Sequence, residues 1–388
     1  MPIVNRVADL HADITAWRRD LHAHPEILYD VHRTAATVAE KLKAFGCDEV
    51  VTGIGRTGVV GVIRGRKGSS NRAIGLRADM DALPITEAND LPYKSTAPGK
   101  MHACGHDGHT AMLLGAARYL SETRNFDGTA VVIFQPAEEG GAGGKAMCDD
   151  GLMTRFGIGE VYGMHNAPNM PVGSFGLRPG PIMAAADYIT VVIEGKGGHA
   201  ARPHLTIDPV VIGCHTIIAM QSVVSRNVDP LKSAVVSVTM FEAGTADNVI
   251  PQRVQLDGTV RTLDEDIRVL VEQRLGQIVE HTAAAFGATA KFTYRRNYPV
   301  LVNHEKQTGF AADVASEIAG DKQVNRELEP MMGAEDFSFM LNERPGAFIW
   351  IGNGASAGLH HPEYNFNDEA IPFGTSYWVR LVETSLKG

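Results

Sequence analysis

Ala130-Val-Val-Ile-Phe-Gln-Pro-Ala-Glu-Glu139 runs apolar for five residues without alternation, then breaks into a proline and two carboxylates. A strand with one wet face alternates polar and apolar residues; an unbroken run suits a strand buried on both faces. The same pattern recurs at residues 59–63, 73–77, 160–164 and 347–351. Helical spacing fills several of the gaps. Residues 109–120 place Met112, Leu113, Ala116, Ala117 and Leu120 on one face. Near the start, Val7, Leu10, Ile14, Trp17 and Leu21 form an amphipathic stripe that Pro25 ends, and a second helix over residues 34–45 stops at Gly46. Strands alternating with helices predict an α/β domain with a mixed, mostly parallel sheet flanked by helices.

Residues 184–296 break that rhythm. A strand (187–194), a helix (208–226), two strands (234–241 and 253–261), a helix (264–286) and a strand (288–294) follow in turn. That order, β-α-β-β-α-β, is the ferredoxin-like α+β arrangement. The α/β pattern resumes after Pro299. The expected organisation is therefore a discontinuous catalytic domain, residues 1–183 and 297–388, with a smaller domain, residues 184–296, inserted into it. The flanking stretches Arg178-Pro-Gly-Pro-Ile-Met183 and Asn297-Tyr-Pro299 are rich in turn residues and suit hinges.

Composition narrows the function classes. A length of 388 residues fits two domains, and 44% hydrophobic with 21% charged residues is a globular balance. The net charge of −9 offers no basic stripe, so neither nucleic acid nor an anionic membrane is an expected partner. No apolar stretch approaches the roughly 20 residues of a membrane span. Met1-Pro-Ile-Val-Asn-Arg6 leads into no apolar core, so no signal peptide is expected and the cytoplasm is the expected location. Four cysteines in so long a chain are not a disulfide framework.

In open α/β sheets, ligands gather beyond the carboxyl ends of the strands. Asp79 and Asp81 follow residues 73–77; Glu138 and Glu139 follow 130–134; His165 follows 160–164; His360 and His361 come after 347–351. Met101-His-Ala-Cys-Gly-His-Asp-Gly-His109 precedes a helix, whose dipole favours a thiolate at Cys104. A buried structural thiol would also explain Cys104 alone, but three histidines within eight residues argue for a site. Cys47, Cys148 and Cys214 lack such company and are read as packing or surface thiols. A thiolate, imidazoles and carboxylates together suit zinc, manganese, cobalt or nickel. One carboxylate of the Glu138-Glu139 pair can bind a metal while the other faces the bound water as its base. The rival chemistry is a thiol hydrolase built on Cys104 and His106, which a chelator would leave active.

These stretches resemble one family. Arg19-Asp-Leu-His22, Arg77-Ala-Asp-Met-Asp-Ala-Leu-Pro-Ile85, the 101–109 stretch, Gln135-Pro-Ala-Glu-Glu139, Gly163-Met-His-Asn166, Gly197-Gly-His-Ala-Ala201 and Leu359-His-His-Pro362 are similar to motifs of the aminoacylase/carboxypeptidase metallopeptidase family. The likeness is to its amidohydrolase branch, which contains hippurate hydrolases, N-acyl-L-amino-acid amidohydrolases and auxin-conjugate hydrolases. It runs collinearly from about residue 15 to 375.

The resemblance implies two divalent metal ions per subunit. Cys104 would bridge them, where the wider family uses an aspartate; His106 and His165 would hold one ion, Glu139 and His360 the other. His361 is the alternative to His360. Glu138 would be the general base for attack of a metal-bridging hydroxide on the amide of an N-acyl amino acid. Asp81 would orient the site, His199 would polarise the scissile carbonyl, and Asn248 would assist. Gly333-Ala-Glu-Asp-Phe337 would line the substrate pocket, and Arg178, Arg202 or Arg261 would meet a substrate carboxylate. A dipeptidase or carboxypeptidase on the same fold is the alternative. The inserted domain would act as lid and as the surface of a homodimer or homotetramer.

Overall fold

The computed structural model describes residues 4–66 and 70–388. Residues 1–3, where the reading of the N-terminus begins, lie outside them. The chain divides into two compact units. The larger runs to Gly180 and resumes with Val302–Glu329 and Asp336–Gly388; the smaller comprises Pro181–Leu301 and Pro330–Glu335.

In chain order the larger unit contributes β1 (Glu49–Ile54), β2 (Gly58–Arg64), β3 (Ala73–Asp79), β4 (Thr129–Gln135), β5 (Glu160–Pro168) and β6 (Phe175–Gly176). The smaller follows with β7 (Ala185–Glu194), β8 (Gly198–His199), β9 (Ala234–Glu242), β10 (Val249–Ile250), β11 (Arg253–Thr262) and β12 (Thr289–Tyr298). The larger closes with β13 (Val324–Asn325) and β14 (Gly346–Gly354). The helices used below are α1 (Asn5–Ala23), α2 (His32–Ala44), α3 (His106–Thr123), α4 (Pro209–Ser222), α5 (Glu265–Ala285), α6 (Glu305–Ala319) and α7 (Ile371–Ser385).

The large sheet has the order β1-β2-β4-β3-β5-β14-β6-β13. Its centre, β4-β3-β5-β14, is parallel, while β1, β2 and β6 run antiparallel to their neighbours toward the middle of the sheet. The unbroken apolar runs are buried on both faces. Ala130, Val132 and Phe134 of β4 join a core with Ile14 of α1, Met112 and Leu113 of α3, and Trp378 of α7. Val131 and Ile133 point the other way and are equally buried.

The smaller unit carries the order β9-β11-β7-β12, antiparallel throughout, with α4 and α5 between its strands in sequence. This is the ferredoxin-like arrangement expected from the sequence. Here burial does alternate: Ile189, Val191 and Ile193 of β7 pack on Val271, Leu275 and Val279 of α5, as a sheet with one covered face requires. Asp208 and Asp264 accept backbone N–H groups at the starts of the two helices. Among the described residues, no helix is long and apolar enough to cross a membrane.

A buried charge network ties α1 to α3. His22 Nδ1 lies 2.9 Å from Asp107 and its Nε2 3.2 Å from Glu87, whose carboxylate also accepts the Ser95 N–H at 2.7 Å. Arg18, equally buried, grips Asp368 through Nε (2.7 Å) and a terminal nitrogen (3.0 Å). Burial favours the neutral ring of His22, but the hydrogen bonds to Asp107 and Glu87 outweigh it and push its pKa up from 6.5 to about 9. A raised pKa means the stabilisation is complete below pH 6.5 and is lost as pH climbs through about 9. The difference is on the order of 3 kcal/mol. Urea titrations at pH 6.5 and at pH 9 should therefore show wild type weakening with pH, and His22→Asn should remove most of that slope. Equal slopes in both proteins would refute the assignment.

Candidate metal centre

The carboxyl ends of β3 and β4 lie side by side, with Asp79 paired to Gln135. Beyond them come Asp81 and the Glu138-Glu139 turn. β5 continues to Pro168, so His165 stands inside that strand, opposite Trp350 of β14, rather than after it as expected. A strand residue has a fixed direction, which a loop residue lacks. Cys104 sits two residues ahead of α3, and Gly105 between Cys104 and His106 has φ 89°. A Cβ at Gly105 would come within 2.2 Å of the Asn166 amide nitrogen and 2.5 Å of the Tyr364 hydroxyl, so only glycine fits.

Two groups of donor atoms share Cys104. Those of Cys104, His106 and His165 lie within 4.8 Å of one another, and so do those of Cys104, Glu139 and His360. Cys104 Sγ is 3.4 Å from His165 Nε2, and His360 Nε2 is 3.3 Å from Glu139 Oε1. His361 instead accepts the Glu363 N–H on its Nδ1 at 3.1 Å. The structure therefore puts His360, not His361, beside Glu139. His106 Nδ1 donates to the Asp81 carbonyl and His165 Nδ1 to the Asn166 carbonyl, both at 2.8 Å. Each ring is thereby oriented with Nε2 toward the cluster.

Whether a cation fits is decided by the atoms left over. His106 Nε2 is buried and has no hydrogen-bond partner among the described residues, and buried Glu139 Oε1 has the His360 ring 3.3 Å away. Leaving a buried polar atom unsatisfied costs about 1–3 kcal/mol, and a divalent ion taking N, S and O donors would engage both. The field agrees. Burial opposes charge on His106, yet Asp79, Asp81 and Glu139 push its pKa up to about 10, so this spot holds positive charge even as a proton. By contrast, Asp79 and His109 are committed to the protein: His109 Nδ1 meets Asp79 at 2.6 Å and its Nε2 accepts the Asn166 N–H at 2.9 Å. His102 is buried and driven down to about 4 by that burial; it belongs to neither group.

One expectation is reversed. The helix start was expected to favour a thiolate at Cys104, but burial, followed by the charges of Glu139, Glu138 and Asp79, raises the thiol pKa well above its usual value. With Gly105 alone between Cys104 and α3, the helix dipole still loses to burial and three nearby carboxylates. In the protein alone the group is a neutral thiol, which also disfavours a cysteine nucleophile.

Asp81 earns its place by backbone contacts. Its two oxygens accept the N–H groups of Glu138 (3.0 Å) and Glu139 (3.1 Å), which holds the turn that presents both carboxylates. Sequence reasoning missed the layer beneath. Arg77 reaches Gln135 (2.9 Å), Asp79 (2.7 Å) and Asp336 (3.0 Å), all buried. The available signal was an arginine inside a run otherwise fit for a doubly buried strand. The same layer reaches Gly333-Ala-Glu-Asp-Phe337: Asp336 and Phe337 are fully buried, Asp336 against Arg77 and Phe337 against Phe348, and donor atoms of Asp336 and Glu138 lie within 4.8 Å of one another.

His199 and Asn248 belong to the smaller unit. There β8 pairs with β10, and the Ala200 N–H donates to the Asn248 carbonyl at 3.0 Å, so the two residues are neighbours. His199 is exposed, and its Nδ1 accepts the Ala201 N–H, which leaves the proton on Nε2. Of the three arginines, Arg261 stays on Thr259 and Val260 of its own sheet, and Arg178 reaches the Leu328 carbonyl at 3.4 Å. Arg202 is exposed beside His199, whose carbonyl accepts its N–H at 2.8 Å.

Known proteins match this geometry. Hippurate hydrolase of Campylobacter jejuni is 42% identical over 387 residues, covering 100% of both chains. N-acetylcysteine deacetylase of Bacillus subtilis is 38% identical over 372 residues, covering 96% of each. The crystal structure of a dinuclear metal-binding peptidase from Bacillus subtilis superposes with a TM-score of 0.86 at 34% identity, over 98% of this chain and 99% of that one. The profile of the peptidase family M20/M25/M40 matches residues 75–384. With a centre suited to divalent cations at its strand ends, the chain belongs to this family and is a metal-dependent hydrolase of amide bonds.

Proposed function

We propose that the chain cleaves N-acyl amino acids into a carboxylic acid and a free amino acid. The observation that carries this reading is the sharing of Cys104 by two donor groups, with Glu138 beside them. In this reading His106 and His165 would hold one divalent ion and Glu139 and His360 a second, with Cys104 available to both groups. The names of the two curated relatives support an N-acyl amino acid as substrate.

Bound divalent ions supply Lewis acidity and lower the pKa of water. The Glu138 carboxylate takes the proton of the attacking water as the carbon–oxygen bond forms. It then delivers that proton to the amide nitrogen as the carbon–nitrogen bond breaks. By the resemblance, His199 Nε2–H, from this chain or from a partner subunit, would donate to the carbonyl oxygen where negative charge develops, with Asn248 assisting. Asp81 fixes the turn so that Glu138 needs no rearrangement.

Self-association through the smaller unit is part of the proposal. α4 turns Val211 and Ile218 outward, and β9, an edge strand, ends in exposed Met240 and Phe241. An open edge beside exposed apolar residues is a pairing surface. Sedimentation of the purified protein as a monomer would dismiss it.

Dialysis against a chelator should abolish turnover, and zinc, manganese, cobalt or nickel should restore it. The substrate test is a panel of N-acyl amino acids set beside dipeptides. Cleavage of dipeptides alone would replace this reading with the peptidase one; chelator-resistant, iodoacetamide-sensitive activity would replace it with thiol chemistry.

A further inference from the structure

The turn before α2 holds an unexplained residue. Leu28 is exposed and has φ 52°. A leucine in left-handed backbone is uncommon and strained, and such strain persists only where the surroundings enforce it. Here they do. The Leu28 carbonyl accepts the N–H of Ala137 at 3.1 Å, the residue immediately before Glu138. Ala137 itself has φ 55°. On the far side of the glutamate pair, the Tyr29 hydroxyl donates to the Gly141 carbonyl at 2.8 Å, and the Arg56 guanidinium lies 4.1 Å above the Tyr29 ring. One residue upstream of this turn, the Glu26 carbonyl accepts the Ala82 N–H at 2.8 Å, next to Asp81.

Residues 26–29 thus bracket the turn that carries Glu138 and Glu139, and these bonds hold the Leu28 backbone beside it. A glycine or asparagine would occupy this backbone at less cost. The bonds enforce the backbone but do not account for an exposed leucine at this position. An apolar ligand beside the base would.

We propose that Leu28 sets acyl-group specificity: its side chain is the apolar wall against which the acyl portion of the substrate lies. The inference rests on the N-acyl amino acid reading above and names the substrate class more narrowly, as acyl groups with a sizeable apolar body.

The test is kcat/KM for the acetyl, butyryl, octanoyl and benzoyl derivatives of one amino acid, with wild type, Leu28→Gly and Leu28→Ala. Leu28→Gly suits the positive φ and so keeps the fold. Wild type should favour the larger acyl groups. Leu28→Gly should lower the benzoyl and octanoyl values about tenfold, with a much smaller loss for acetyl and unchanged metal content. A parallel loss across the series, or none, overturns the role of Leu28 and leaves the substrate reading standing. If wild type turns over no member of the series while cleaving other amides, both fail together.

Discussion

Glu138→Gln should retain its metal and lose turnover by 10²–10⁴-fold, the contribution of a general base. The substitution is isosteric, and the Glu138 contact to Asp81 uses the backbone N–H, which glutamine keeps. The proposed ligands Cys104, His106, Glu139, His165 and His360 are untouched, so elemental analysis should return the wild-type metal content. A glutamine cannot accept and return a proton, so the loss should fall on kcat rather than on KM. Glu139→Gln offers the contrast: it removes a carboxylate oxygen from the donor set and should reduce metal content as well. A Glu138→Gln enzyme retaining more than about a tenth of wild-type kcat would remove Glu138 from the role.

Cys104→Ala should lose both metal and activity. Its sulfur belongs to both donor groups, so one truncation weakens two sites together. Loss of a single supporting residue around a metal ligand typically costs about 10–100-fold in affinity, and loss of a shared ligand should exceed that. Elemental analysis after dialysis should show a fall from two ions per chain to one or none. Retention of both ions with normal turnover would end the bridging proposal. Cys104→Asp should recover part of the occupancy, since a carboxylate also offers two lone-pair directions. Because burial, and then Glu139, Glu138 and Asp79, raise the thiol pKa in the protein alone, ionising Cys104 depends on the incoming cation. Metal uptake should therefore release a proton and weaken as pH falls.

Much of this protein was legible in residue order. The unbroken run at residues 130–134 and its counterparts announced strands covered on both faces, because side-chain period and burial are local properties of a strand. The strand-helix-strand-strand-helix-strand order over residues 184–296 marked the inserted unit, and the structure adds alternating burial in β7 and β11. The candidate donor and base residues at 104, 106, 138–139, 165 and 360 were visible because chemistry resides in residue identity and strand ends are punctuated by glycine and proline.

Other features existed only in three dimensions. Local sequence does not distinguish His360 from His361; a turn with φ 63° at His360 directs one ring to Glu139 and leaves the other on its own backbone. Asp81 reads as one more acidic residue until its oxygens meet N–H groups 57 and 58 positions away. The partner of Asp336 is not legible locally: it is Arg77, 259 positions distant in the chain. The protonation of Cys104 turned on how much water is excluded and which carboxylates surround it. Period, residue type and turn chemistry act over a few residues and are written in the chain; desolvation and the meeting of distant charges depend on every segment that packs around a point, so folding alone decides them.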